Sequence, residues 1–158
     1  MLFTGPTMNP TILRNSFDLI IDRRPDLTVR FYEILFERYP VLAPMFRRDR
    51  KMQAKMLAGA IAAVLDHLED APWLAATLGE LGARHIEYGV TAEMYNWVGD
   101  ALLATLAEVA AEAWTDEVAE QWTLAFSAIA TMMQAGAAAA HAAQHQGVAA
   151  TIARTRLA

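Results

Sequence analysis

Of the four histidines in this chain, three sit where an imidazole could act as a metal ligand. His85 stands alone in LGARHIEYGV (81–90), in the last turn of an apolar helical segment. A histidine in that setting serves as a packing residue, as a positive charge at a helix C-terminus, or as a ligand. His141 and His145 lie four residues apart in AHAAQHQG, a spacing that puts both on one face of a helix, where they could hold a transition metal. No thiol or carboxylate accompanies them, and structural metal sites normally use four ligands, so a solvated helix end is the plainer reading. The run RRDRK (47–51) reads as a solvated loop, or as a partner for a small anionic group at a pocket rim. The sequence contains no GxGxxG, P-loop, HExxH or GxSxG.

Composition narrows the classes further. At 158 residues the chain fits one domain with a substantial core. Hydrophobic residues make up 55%, an excess that must line a core, an interface or a ligand pocket. No run of about twenty purely apolar residues is expected to span a membrane. Zero cysteines exclude disulfides and thiolate metal sites, and a net charge of −5 argues against nucleic acid as a partner. The N-terminal MLFTGPTMNP lacks the features of a signal peptide, which gives a cytoplasmic expectation.

The punctuation that must position these residues is helical. Asn9 and Pro10 open a first helix carrying Leu13, Phe17 and Ile20, and Arg24 and Pro25 close it. A second helix carries Leu27, Phe31, Ile34 and Leu35 and ends before Pro40. VLAPMF follows as a short turn, and a third helix is expected from about Lys51 to Leu68. After the break at Asp70–Pro72, a helix runs through Trp73, Leu74, Leu78 and Leu81 to His85, and Gly89 stops it. Thr91 caps the next, and Thr115, with Asp116 and Glu117, caps the last, whose apolar stripe is Trp122, Phe126, Ile129 and Met133. Period-two alternation is absent throughout, so the fold class is all-α with about six to eight helices. One domain over 1–146 and a low-complexity, frayed tail over 147–158 complete the expectation.

Taken in order, these segments resemble a globin of the single-domain bacterial type, over roughly residues 10–134. FYEILFERYPVLAPMF (31–46) resembles the stretch of bacterial haemoglobins and flavohaemoglobins in which a distal tyrosine precedes a proline and a haem-stacking phenylalanine follows it. The resemblance implies Tyr32 as distal tyrosine, Pro40 as the start of a short helix and Phe46 as the haem-facing ring. MQAKMLAGAIAAV (52–64) is similar to the distal helix, with Gln53 over the iron and Leu57 one turn on. LGARHIEYGV resembles the proximal segment, also of neuroglobin-like globins, and MYNWVG (94–99) the start of the following helix in flavohaemoglobins.

The implied chemistry is that of haem b. His85 becomes the metal ligand through Nε2, its Nδ1–H held by a carbonyl of the preceding turn. Leu57, Val90 and Tyr95 become pocket residues, Gly82 leaves room near the ligand, and Arg47, Arg48 or Arg84 meet the propionates. Tyr32 and Gln53 form the distal pair. Without the resemblance, Tyr32 would be a core tyrosine and Gln53 a surface amide. With it, the phenol donates to dioxygen, which carries partial negative charge on ferrous haem, while carbon monoxide gains much less.

Two departures from the flavohaemoglobin pattern stand out. No reductase module is expected after the globin segment, and an external reductase is the expected electron source. The position of the flavohaemoglobin glutamate on the last helix falls on Ala137, although its tyrosine partner is kept as Tyr95. The expected function is reversible binding of dioxygen, for transport, storage or nitric oxide dioxygenation, with nitric oxide and carbon monoxide as further ligands. The alternatives are a haem-based gas sensor acting through a partner protein and a cofactor-free helical interaction module.

Overall fold

A computed structural model describes residues 7–156, and in them the chain forms six α-helices and two short 3-10 turns. They are α1 (Pro10–Arg23), α2 (Leu27–Arg38), α3 (Arg50–Asp66), α4 (Ala71–Glu87), α5 (Ala92–Ala110) and α6 (Asp116–Arg156). The 3-10 turns are Pro40–Met45 and Ala111–Ala113. The described residues contain no strand. MLFTGP and the last two residues of the tail lie outside the described residues.

The helix boundaries follow from local chemistry. The Asn9 side chain accepts from the Thr11 and Ile12 amides, with Pro10 at the first helical position. Asp49 accepts from the Met52 amide, so α3 begins at Arg50, one residue before the expected start, and RRDRK holds a cap as well as charge. The same helix ends earlier than expected, at Asp66, because His67 turns back: its amide donates to Val64 O and its Nδ1–H to Ala63 O. Asp70 caps α4 and Thr115 Oγ1 accepts from the Val118 amide at the start of α6.

The core is built in three apolar groups. In the first, Leu13, Ile20, Leu27, Leu65, Leu106 and Trp122 join α1, α2, α3, α5 and α6. Trp122 donates to Ser16 Oγ at 2.9 Å, and Arg14 reaches across from α1 to Leu65 O and Glu69. The second group lies between α2, α3 and α5, and the third between α4, α5 and α6. α3 packs on α1 and α2, whereas α4 packs on α6. The two helices that carry Gln53 and His85 therefore lean on different supports.

Two expectations bear on the last helix. Fraying was expected past Gly147, but α6 continues through it to Arg156. One glycine among alanines costs only about 1 kcal/mol, too little to end a helix without a second stop signal. By length and composition α6 is also apolar enough to cross a membrane, a test that core helices pass as well. Residues 121–153 hold no Asp, Glu, Lys or Arg, with polar residues scattered among them. The first half of that helix is core, with Trp122, Ala125, Ala130, Met133 and Ala137 buried.

Candidate functional site

His85 is positioned by the way α4 ends. Gly89 adopts φ +81, a left-handed conformation that glycine takes without a Cβ penalty. Its amide donates to Ile86 O at 2.9 Å, and the Val90 amide donates to His85 O at 3.1 Å. This paired closure is a Schellman motif, and it fixes the backbone of His85 in the last turn. The ring is fixed separately. Nδ1 lies 2.7 Å from the carbonyl oxygen of Leu81. A carbonyl only accepts, so Nδ1 carries the proton and Nε2 presents a lone pair. The Tyr95 ring lies 6.5 Å away and Tyr88 6.0 Å away, centroid to centroid.

The support behind His85 is a close crossing of α4 on α6. A Cβ on Gly82 would stand 1.8 Å from Met133 O, and one on Gly136 would stand 2.1 Å from Gly79 O. This corrects the expectation for Gly82: the missing side chain admits the backbone of α6, not a ligand. Ala137 is buried on the same helix. Val90 and Tyr95 pack with Leu74, Leu78, Met133 and Phe126 in the third apolar group.

A second group gathers Tyr32, Phe46, Ala54 and Leu57, from α2, the segment after the Pro40–Met45 turn, and α3. Tyr32 is 4% exposed, and its ring meets Phe31 at 5.0 Å, Phe46 at 5.4 Å and Phe36 at 5.8 Å. Phe36 also meets Phe46 at 5.3 Å. The sequence reading missed Phe36, although its place one helical turn after Tyr32 was a usable signal. Gln53 Nε2 donates to the Tyr32 hydroxyl oxygen at 3.3 Å. The amide thus occupies a phenol lone pair and leaves the phenol's own proton free for another acceptor. Burial pushes the Tyr32 phenol above its ordinary range, and the Gln53 hydrogen bond works in the opposite direction.

The expected basic residues stay at the surface. Arg84 pairs with Glu80 one turn back at 2.8 Å, Arg48 approaches Met56 Sδ at 2.9 Å, and Arg47 is exposed. The structure thus brings together Tyr32, Gln53, Leu57 and Phe46 in one group and His85, Val90 and Tyr95 in another, and leaves Arg84 paired with Glu80 at the surface.

The donor set, an imidazole nitrogen and a buried phenol among apolar side chains, suits a large apolar group that carries a metal. His85 keeps Nε2 apart from its contact with Leu81, and the Tyr32 phenol keeps its proton. Met52 and Met56 on α3, and Ile86 and Tyr88 beside His85, are exposed apolar side chains on the two helices that flank the site. An apolar cofactor would cover such side chains at little desolvation cost.

The helical fold carries both groups, and comparison with known proteins gives the family. The globin family model matches residues 29–133, so the chain belongs to the globin family. It is 34% identical to the flavohemoprotein of Bordetella pertussis over 110 residues, covering 68% of this chain and 27% of that protein. It is 32% identical to the flavohemoprotein of Bacillus anthracis over 124 residues, covering 75% of this chain and 30% of that one. The chain therefore spans less than a third of the length of these relatives. Among solved structures, a bacterial globin from Campylobacter jejuni superposes with TM-score 0.71 at 24% identity, covering 84% of this chain and 96% of that one. An engineered carbene transferase from Rhodothermus marinus, whose parent is described as a candidate nitric oxide dioxygenase, gives TM-score 0.76 at 22% identity, with 88% and 99% covered. Membership of the family implies a haem cofactor.

Proposed function

We propose that this globin holds haem b through His85 Nε2 and binds dioxygen reversibly beside Tyr32. The observation that carries the reading is the hydrogen bond from Gln53 to Tyr32, which frees the phenol proton while the residue stays buried. Ferrous haem supplies the gas-binding chemistry and leaves partial negative charge on dioxygen. Tyr32 donates to that charge, a bond of about 1.5–3 kcal/mol for a charge-assisted donor in a dry site. Gln53 holds the phenol in place, and Phe36 and Phe46 keep water from competing for it. Leu57 and Val90 line the pocket, Tyr95 packs behind His85, and Arg47, Arg48 and Arg84 are the cations available to the propionates, Arg84 by leaving Glu80.

The bound gas serves delivery or storage, or the oxidation of nitric oxide to nitrate. In the last case nitric oxide and dioxygen combine with one electron to give nitrate, and a reductase external to the globin fold supplies the electron. Similarity to flavohemoproteins supports this use. Nitric oxide and carbon monoxide are further ligands, and the cytoplasm is the proposed location. A second reading, a gas sensor working through a partner protein, finds support in α6, whose residues 141–155 stand exposed beyond the core. Rapid mixing of the air-equilibrated ferrous haem protein with nitric oxide separates the uses. Stoichiometric nitrate within the mixing time, and turnover once a bacterial flavin reductase is added, supports dioxygenation. Nitric oxide left unconsumed would overturn it.

A further inference from the structure

From the end of the core onward, α6 carries two imidazoles that the haem site does not use. We propose that His141 and His145 chelate a late first-row divalent transition metal ion, Cu²⁺ most strongly. The two Nε2 atoms lie 3.1 Å apart, with the rings nearly perpendicular at 79°. At metal–nitrogen distances of about 2.0–2.1 Å, two ligands at angles between square and tetrahedral hold their nitrogens about 2.9–3.4 Å apart. The observed separation falls inside that range, so a metal ion can take the place of the proton between the two nitrogens after small ring rotations. Both residues are exposed, and the helix that fixes their spacing is continuous through them.

The choice of ion follows from what surrounds the pair. The described residues hold no group of three or more histidine, cysteine, aspartate or glutamate side chains arranged for a metal. Residues 121–158 include no aspartate or glutamate. Two imidazoles with the remaining positions left to water suit a tetragonal Cu²⁺ centre, whereas a structural zinc site requires four protein ligands. The order of divalent affinities for nitrogen ligands points the same way. Of the other histidines, His85 is engaged by haem on the proposal above. His67 lies stacked on Trp73 at 3.7 Å, with Nδ1 committed to Ala63 O. The chelate makes no use of the haem site and stands without it.

The test is calorimetric titration of Cu²⁺ into the full haem-loaded chain, with electron paramagnetic resonance on the same samples. The wild type should take up one tight equivalent and show coupling to two nitrogens. His145→Ala should weaken this site by at least about tenfold, the minimum seen when even an outer support of a metal ligand is removed. His141→Ala combined with Ala149→His rebuilds the four-residue spacing one turn later and should restore it. Ala142→His combined with His145→Ala keeps two imidazoles but places them on different faces, and should not. Equal affinity in His145→Ala, or full affinity in the adjacent-residue variant, would overturn the chelate, as would the absence of a tight equivalent in the wild type.

Discussion

The Nε2 of Gln53 stands 3.3 Å from the hydroxyl oxygen of Tyr32 and donates to it. That direction matters more than the contact. Had the phenol donated to Gln53, its only proton would be spent inside the protein. As it is, the amide fixes the ring's polar end and the phenol proton remains available to a ligand. Gln53→Leu should therefore raise the rate of dioxygen dissociation, by less than loss of the phenol itself. Laser photolysis and rapid mixing of the haem-loaded variant measure this directly.

His85 is tied to the protein at Nδ1 and free at Nε2. His85→Ala should leave a protein that folds but retains haem weakly, because the one protein bond to iron is gone. Added imidazole should restore part of the five-coordinate ferrous spectrum. A variant that purifies with full haem and the wild-type spectrum would place the ligand elsewhere.

The acceptor for His85 Nδ1–H is the neutral carbonyl of Leu81, and Ala137 offers no carboxylate from α6. A neutral acceptor pulls the proton from imidazole less than a carboxylate does, so the ligand should keep ordinary histidine character. The iron–histidine stretch in resonance Raman should lie below the peroxidase range, and peroxidase turnover should be low. A stretch in the peroxidase range would contradict this.

Gly82→Ala tests the support of the proximal helix. The added methyl would sit 1.8 Å from Met133 O, so α4 must move away from α6. Overpacking of this kind costs about 1–3 kcal/mol or more. The thermal midpoint should fall, and haem loss should quicken, because His85 rides on the displaced helix. Gly89→Ala, strained at φ +81 but in open space, should disturb the helix end without separating α4 from α6.

Much of this was legible in the sequence, and for identifiable reasons. Asn9, Asp70, Thr115 and Gly89 are strong local signals, and each bounds a helix as its chemistry dictates. Tyr32, Gln53, Phe46 and His85 could be chosen because the globin resemblance placed them in register, and the fold brings Tyr32, Gln53 and Phe46 into one cluster. What stayed hidden depended on contacts between distant segments. Gly82 reads as free space in one helix, and only the approach of Met133, from a helix much later in the chain, reveals its use. Gln121, buried on α6 and accepting from the Asn9 amide at 2.6 Å, is equally invisible to local pattern. The tail is a different case. Its low complexity suggested disorder, yet alanine is the best helix former and carries α6 past Gly147.

Burial holds the Tyr32 phenol above its ordinary value of 10.0, and this fixes a sign for alkaline stability. The folded state keeps a proton that the unfolded chain gives up. Stability should be unaffected below pH 10 and should decline as pH rises from 10 through the elevated folded value. Denaturant unfolding across that window should show a steeper loss for the wild type than for Tyr32→Phe. Equal slopes would indicate a phenol that is not buried.

The central claim is that the Tyr32 hydroxyl stabilises bound dioxygen, and Tyr32→Phe tests it with the packing of the ring retained. Removal of a charge-assisted bond of about 1.5–3 kcal/mol corresponds to roughly ten- to a hundredfold in equilibrium. The bond forms only after the gas is seated, so the change should fall on dissociation, with association nearly constant. Carbon monoxide, which carries little charge on its outer atom, should be held almost as before. The measurement is the dioxygen dissociation rate of wild-type and Tyr32→Phe protein, with carbon monoxide dissociation as the internal control. An increase of about ten- to a hundredfold for dioxygen alone is the predicted result. An unchanged dioxygen rate would place Tyr32 outside the ligand pocket and contradict the account.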